Sequence, residues 1–328
     1  MAGDLSYPSR IGSDGSDHSK YFMDVFGGEV LTAFDMATVT LDKHIVRNIK
    51  SGRSAKFPKT WLASAEYHTP GQELLGNAID TSEAIITVDD ILVSHTALAD
   101  VDDMMAHFDV RSEFALQMGR ALARVFDKNV FRQLILAARD PGSSPFPGGH
   151  EITDDGLKMS DPDVGANWIQ AIREMNLNLF NADVPEDQVR YLAVGGNTFD
   201  AIKYAKDADG NYLVINRDFS FAGGGPSGGV ENRAEVLRID GVEIHRTRNL
   251  PSTNEVGDAG VLDKYEDDYS KVLGVIWTPQ AAGTVKLLDI AFERERDVRR
   301  LEDFLLAKLL VGHGTLRPEC AGVLQSTT

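Results

Sequence analysis

Residues 109–140 read DVRSEFALQMGRALARVFDKNVFRQLILAARD, the longest helical pattern in the chain. Set at about 100° per residue, Phe114, Ala115, Met118, Ala121, Leu122, Val125 and Phe126 fall on one half of the cylinder, and Glu113, Gln117, Arg120, Arg124, Asp127 and Lys128 on the other. Asp109 suits the N-cap, because its carboxylate can accept orphan N–H groups of the first turn. Pro141-Gly142 ends the run. At about 1.5 Å per residue the helix is roughly 45 Å long. Beyond Val130 the apolar stripe widens through Phe131, Leu134 and Ile135, which predicts burial on more sides.

Working outward, 328 residues suffice for two domains, and 42% apolar with 25% charged residues is a soluble globular composition. The single cysteine, Cys320, excludes an internal disulfide and a cysteine-based zinc cluster. No secretory signal and no membrane-length apolar run is visible, which predicts a chain made in the cytoplasm with no membrane partner. The net charge is −17, and no long segment is basic. A protein that held DNA by neutralising phosphates would need a Lys/Arg surface. Any meeting with nucleic acid is therefore not adhesive.

Residues 1–20 are rich in Gly, Ser and Asp and read as a mobile arm. In Phe22–Phe34 apolar residues recur at helical spacing around Gly27-Gly28. This reads either as a short packed helix with a flexible break or as an arm that docks on a partner. Residues 38–95 read as strand and loop. SGRSAKFPKTWL, with Arg53, Lys56 and Lys59 around Phe57-Pro58, is answered by the return strand EAIITVDDILV, where Ala84, Ile86 and Val88 share a face. A proline confines its strand to an edge. Two long strands with little nearby core suggest a projecting hairpin, which rests on another chain because isolated hairpins are marginal in water.

Residues 140–166 read as an irregular connection. An amphipathic helix follows over 167–182 through Trp168, Ile172, Met175 and Leu179, then a strand VRYLAVGG and a short helix capped by Asn197 or Thr198. After a glycine-rich loop comes a strand pair turning at Asp240-Gly241, then an acidic stretch DKYEDDY and the strand KVLGVIWTP. The mixed order predicts an α/β domain over 167–285. The tail alternates first and ends in apolar and glycine-rich residues.

Catalytic signals are weak. Gly225-Pro226-Ser227-Gly228-Gly229 fits G-x-S-x-G, with Asp258 and His313 in the order of a hydrolase triad, but a strand rather than a helix follows the serine. Asp207–Asn211 starts like a calcium loop, yet Tyr212 stands where glycine is needed. No two histidines are spaced i,i+3 or i,i+4, and no phosphate-cradling glycine loop occurs. Asp102-Asp103 and Asp267-Asp268 read as solvated faces. No catalytic, cofactor-binding or metal site is predicted.

Five runs, VFGGEVLTAF (Val25–Phe34), HIVRNIKSGRSAKFP (His44–Pro58), FDVRSE (Phe108–Glu113), GTVKLLDIAFER (Gly283–Arg294) and GHGTLRPECAG (Gly312–Gly322), resemble the major capsid protein of short-tailed, T-seven-type bacteriophages. They keep the family's order and span nearly the whole chain, with residues 140–280 matching weakly. The resemblance implies an α+β fold, the Hong Kong type of tailed phages and herpesviruses. It divides the chain into an N-terminal arm (1–50), an extended hairpin loop (51–95), a peripheral domain with a long spine helix (96–166 with 281–328) and an axial domain (167–280). It further implies a shell subunit that assembles with itself in hexamers and pentamers in the host cytoplasm. The implied partners are a separate scaffolding protein, a portal protein and packaged double-stranded DNA in weak non-specific contact.

On this reading Arg53, Lys56 and Lys59 touch Asp100, Asp102 or Asp103 of an adjacent subunit, or else they form a solvated strand face. Two other classes remain open: a nanocompartment shell of the same fold around a cargo enzyme, and an acidic α/β enzyme.

Overall fold

The computed structural model describes residues 19–61, 63, 65, 67–68, 71, 73, 76–99, 110–206, 213, 237–297 and 299–327. These fall into two compact units. The first takes in residues up to Thr38, Asp89–Phe126 and Lys286–Val311; the second takes in Val39–Val88, Asp127–Val285 and the chain from Gly312 on.

In the first unit, helix α1 (Ser19–Ala37) runs unbroken through Gly27-Gly28, where the sequence suggested a break. Glycine costs a helix about 1 kcal/mol relative to alanine. Here burial of Val30, Ala33 and Phe34 against the long helix α2 (Val110–Arg139) outweighs that cost. The crossing is close because Gly119 has no side chain. A Cβ there would lie 2.4 Å from the Val30 carbonyl oxygen and 2.9 Å from the Ala33 Cβ. Phe34 meets Phe126 edge-on at 5.6 Å.

Helix α2 matches its predicted extent, while the proposed cap Asp109 lies outside the described residues. Ala115, Met118, Leu122 and Phe126 are buried, Phe114 is half-buried, and Glu113, Gln117, Arg120 and Arg124 are exposed, as the periodicity predicts; Ala123, outside the predicted apolar half, is buried as well. Three assignments change. Ala121 and Val125 are exposed and Asp127 is fully buried. The buried face is rotated toward Gly119 and Ala123, because α1 packs there. Periodicity finds an apolar face but not the neighbour that selects its centre.

The first unit's sheet sets the long strands β12 (Ala282–Asp297) and β13 (Glu302–Thr315) beside β4 (Leu92–Ala99), with β4 at the edge. β4 and β13 pair antiparallel from Glu302↔Ala99 to Leu309↔Leu92. Along β13, Asp303, Leu305, Ala307, Leu309 and Val311 are buried in strict alternation, the period of a pleated strand. Arg294 pairs with buried Asp303 at 2.5 Å.

The second unit contains strand β1 (Ile45–Asn48) and the hairpin β2 (Ser54–Thr60) and β3 (Thr81–Thr87). Its main body is a six-stranded sheet. The spatial order is β7 (His150–Thr153), β14 (Ala321–Gln325), β11 (Val272–Trp277), β8 (Arg190–Val194), β10 (Val242–Arg246), β9 (Leu237–Ile239). Helix α3 (Val164–Asn181) buries Trp168, Ile172, Met175 and Leu179 completely. Trp168 covers Gly274 of β11 and Met175 covers Gly322 of β14, glycines whose missing Cβ makes room for the large side chains. The Trp168 indole N–H donates to the Leu157 carbonyl at 3.0 Å.

Three readings of this region are corrected. Residues 140–166 are not wholly irregular: they hold the short pair β5 (Gly142–Ser143) and β6 (Phe146–Pro147), then β7 and a 3-10 turn at Asp155–Leu157. The four residues of β7 are too few for a periodic signal, and parallel pairing with β14, from Gly322↔His150 to Gln325↔Thr153, makes them a strand. The sheet thus draws β7 and β14 from outside residues 167–285. Helix α4 (Gly196–Lys203) has Gly195 as its N-cap with no side-chain cap, so Asn197 and Thr198 lie inside it. The turn at Asp240-Gly241 is as read, with φ of 50° and 79°.

Candidate assembly surfaces

The hairpin pairs β2 with β3 antiparallel from Ser54↔Thr87 to Thr60↔Thr81. Its root is anchored. Ile86 is 2% exposed and fills the space left by Gly283 and Gly314, where a Cβ would press on its side chain at 3.0 and 2.8 Å. Val88 is also buried, and Ala84 half-buried, on the face predicted for them. On the opposite face of β3 Ile85 is 54% exposed, and farther out Ile79 is 50% exposed.

The three basic residues do not form one face. The two-residue period of a strand puts Lys56 and Lys59 on opposite sides. Lys56 is exposed and forms an ion pair across its own hairpin with Glu83 at 2.6 Å. Lys59 is half-buried, and burial pulls its ammonium pKa down against the opposing fields of Glu319 and Asp140. Arg53 is exposed, and its carbonyl accepts from the Val88 N–H at 2.8 Å. Asp100, Asp102 and Asp103 lie outside the described residues. A cation that sequence reading passed over is Arg47. Its guanidinium donates to the Lys56 carbonyl at 2.8 Å and stands over the Phe57 ring at 5.6 Å.

The second half of α2 carries the strongest electrostatic links. Glu255 is 3% exposed and receives Arg132 at 2.8 Å and Lys128 at 2.5 Å. Burial works against ionisation of Glu255, but the two cations outweigh it and hold its carboxyl below the usual range. Arg139 pairs with Asp267 at 2.7 Å and donates to the Asp268 carbonyl and the Gln325 side chain. The Asp267 carboxylate, in the acidic stretch read as solvated, thus sits on an arginine of the long helix. No spacing rule links residues 128 positions apart, so no sequence signal announced it.

A buried chain of hydrogen bonds joins Thr40, His44, Thr284 and His313. His44 Nδ1 meets the Thr40 carbonyl at 2.6 Å, its Nε2 meets Thr284 Oγ1 at 2.7 Å, and that hydroxyl meets His313 Nδ1 at 2.8 Å. His313 is thus a core residue rather than an exposed base. Asp258 accepts from the Gly260 N–H at 3.0 Å, while Ser227 and the Asp207–Asn211 segment lie outside the described residues. Among the described residues no group of three His, Cys, Asp or Glu could hold a metal ion, and no helix is long and apolar enough to cross a membrane.

A two-stranded hairpin with an anchored root, a long helix tied to loops by buried ion pairs and a sheet-and-helix body are the parts of the tailed-phage capsid-shell fold. The capsid protein of cyanophage P-SCSP1u superposes with a TM-score of 0.72 at 34% identity, over 99% of this chain and 100% of that one. The mature capsid subunit of bacteriophage PhiM1, at 21% identity, shares the fold with a TM-score of 0.69 over 89% of this chain and 87% of its own. The major capsid protein of Escherichia phage T7 is 31% identical over 94% of this chain and 92% of its own length. Residues 56–325 match the model of the Gp10A-like major capsid protein family, and the chain belongs to that family. It is a major capsid protein of a phage head, with the α+β fold of the Hong Kong type.

Proposed function

We propose that copies of this chain, guided by a separate scaffolding protein, close into an icosahedral head of hexamers and pentamers, with a portal protein at one opening. The head encloses double-stranded DNA and performs no catalysis. The hairpin carries this reading: one face of its root is packed, yet Ile85 on the other face and Ile79 farther out stand exposed, on an element that is marginal in water without a second surface. The proposed division of labour is an arm (1–50), a hairpin loop (51–95), a peripheral part (96–166 with 281–328) and an axial part (167–280), the last joined by β7 and β14 in its sheet.

A charge of −17 supports weak contact with the packaged DNA. Each added Lys or Arg contact would be repeated over hundreds of copies and would hinder the duplex from sliding. Assembly in the host cytoplasm is part of the same proposal. The test is electron microscopy of the expressed chain with a candidate scaffold, followed by analysis of the particle contents. Closed shells that take up nucleic acid support the reading. A homogeneous monomer with scaffold present overturns it, and shells holding a cargo enzyme would instead make it a nanocompartment.

A further inference from the structure

We propose that the open edge of β3 in one copy pairs with the open edge of β4 in a second copy, so that subunits of the shell are joined by a shared sheet. The proposal rests on the assembly reading above.

The hairpin has two outer edges, and the chain treats them differently. β2 is blunted: Pro58 has no N–H to offer, and Arg47 takes up the outward carbonyl of Lys56 at 2.8 Å. β3, TSEAIIT, has no proline, and no strand among the described residues pairs with its outer side. The hydrogen-bond phase of the hairpin follows from its two ends. The Val88 N–H donates to the Arg53 carbonyl at 2.8 Å, and the Trp61 N–H to the Asp80 carbonyl at 3.0 Å. Antiparallel pairs alternate between bonded and non-bonded. In this register the bonded residues of β3 are therefore Ser82, Ala84 and Ile86. The N–H and C=O groups of Thr81, Glu83 and Ile85 point away from β2, as Pro58 opposite Glu83 requires.

The second open edge is β4. It borders its sheet, and its eight residues LVSHTALA include no proline, lysine, arginine or carboxylate. Val93 on it is 47% exposed, and Ile91 just before it 55%. Strand edges left long, uncharged and apolar are templates for another strand, and natural chains protect them unless a partner covers them. Among the described residues the β2 edge is guarded, while β4 has no strand on its outer side and β3 carries a single charge, Glu83, which is paired with Lys56 of its own hairpin. Because β3 and β4 are different patches of one chain, their pairing is heterologous, the kind of contact that builds rings rather than isolated dimers.

The test uses assembled shells. Ile85→Cys and Val93→Cys are made singly and together, and the shells are treated with a short bismaleimide that tolerates a shift of register. Cys320 stays silent, since it is 2% exposed and burial pushes its thiol up to about 11. In parallel, amide exchange is compared between unmodified shells and unassembled subunits. The double variant is expected to give a ladder of dimers, trimers and higher species, while each single variant stays monomeric on a denaturing gel. The amides of Glu83 and Ile85 are expected to slow by at least about tenfold on assembly. Both results are required. Dimers from a single variant mean like edges pair with like, and no ladder or no protection in closed shells overturns the pairing while leaving shell assembly intact. Failure of the unmodified chain to form shells would instead overturn the assembly reading.

Discussion

Asp127 accepts the hydroxyl of Thr40 at 2.6 Å, from a residue 87 positions earlier in the chain. The same carboxylate accepts the N–H groups of Val39 and Thr40 at 2.9 and 3.2 Å and the Asn249 amide at 3.1 Å. Burial pushes the Asp127 carboxyl above the usual range, and these four donors oppose that shift. One side chain on the long helix thereby pins the chain where α1 has just ended.

Removing that pin should be costly. Asp127→Ala leaves the buried Thr40 N–H and hydroxyl without their acceptor, at about 1–3 kcal/mol for each such group. Urea unfolding of the unassembled subunit should show a loss of at least about 2 kcal/mol. A loss below about 0.5 kcal/mol would mean that water or another acceptor replaces the carboxylate.

Glu255 adds a pH dependence of definite sign. Its folded pKa is depressed, so the stability it contributes is present above its unfolded value, near 4.5, and is lost as pH falls through the folded one. The urea midpoint should therefore drop on acidification below about pH 4.5. Glu255→Gln should flatten that part of the profile. Glu255→Ala strands the Arg132 guanidinium and should cost about 3–5 kcal/mol at neutral pH.

Gly119→Ala should reverse the usual helix rule. On an exposed helix the change stabilises by about 1 kcal/mol. Here the new Cβ meets the Val30 carbonyl oxygen at 2.4 Å, and α1 must move. A loss of about 1–3 kcal/mol is expected, the range for overpacked sites. A more stable variant would show that α1 does not hold this crossing.

The two faces of α2 should separate folding from assembly. Leu122 is 1% exposed, so Leu122→Ala should lose about 2–5 kcal/mol and give misfolded or insoluble subunit. Gln117 is exposed, and Gln117→Ala should stay within about 0.5 kcal/mol. Val125, 40% exposed, should also be tolerant as alanine, against its place in the apolar repeat. Solubility and thermal unfolding of the three variants decide the assignment.

Charge reversal of Arg53, Lys56 and Lys59 together should impair shell formation while the subunit still folds. Lys56→Glu alone places like charges across the hairpin from Glu83, an exposed pair worth about 0–1 kcal/mol. Arg53→Glu alone is therefore the cleaner probe of a neighbouring subunit. Normal shells from the triple variant would remove the proposed contact with Asp100, Asp102 and Asp103.

Local order was legible because it is written at short range. The 3.6-residue repeat of Met118, Leu122 and Phe126 and the two-residue repeat of Ala84, Ile86 and Val88 define which groups leave water together. Asp240-Gly241 announces its turn through the backbone angles it tolerates. The five colinear runs from Val25 to Gly322 carried the family, and with it the parts to expect.

What only the tertiary structure decided is every choice among equivalent partners. β7 is a strand because β14 lies beside it, α1 continues through two glycines because Val30 and Phe34 gain a buried surface, and Val125 faces outward because α1 settles on Gly119. Glu255 and Asp267 became ligands of Arg132 and Arg139 only when distant segments met. Such contacts depend on loop closure over a hundred residues or more, and their energy comes from excluding water at one particular pair. No local pattern encodes which pair that will be.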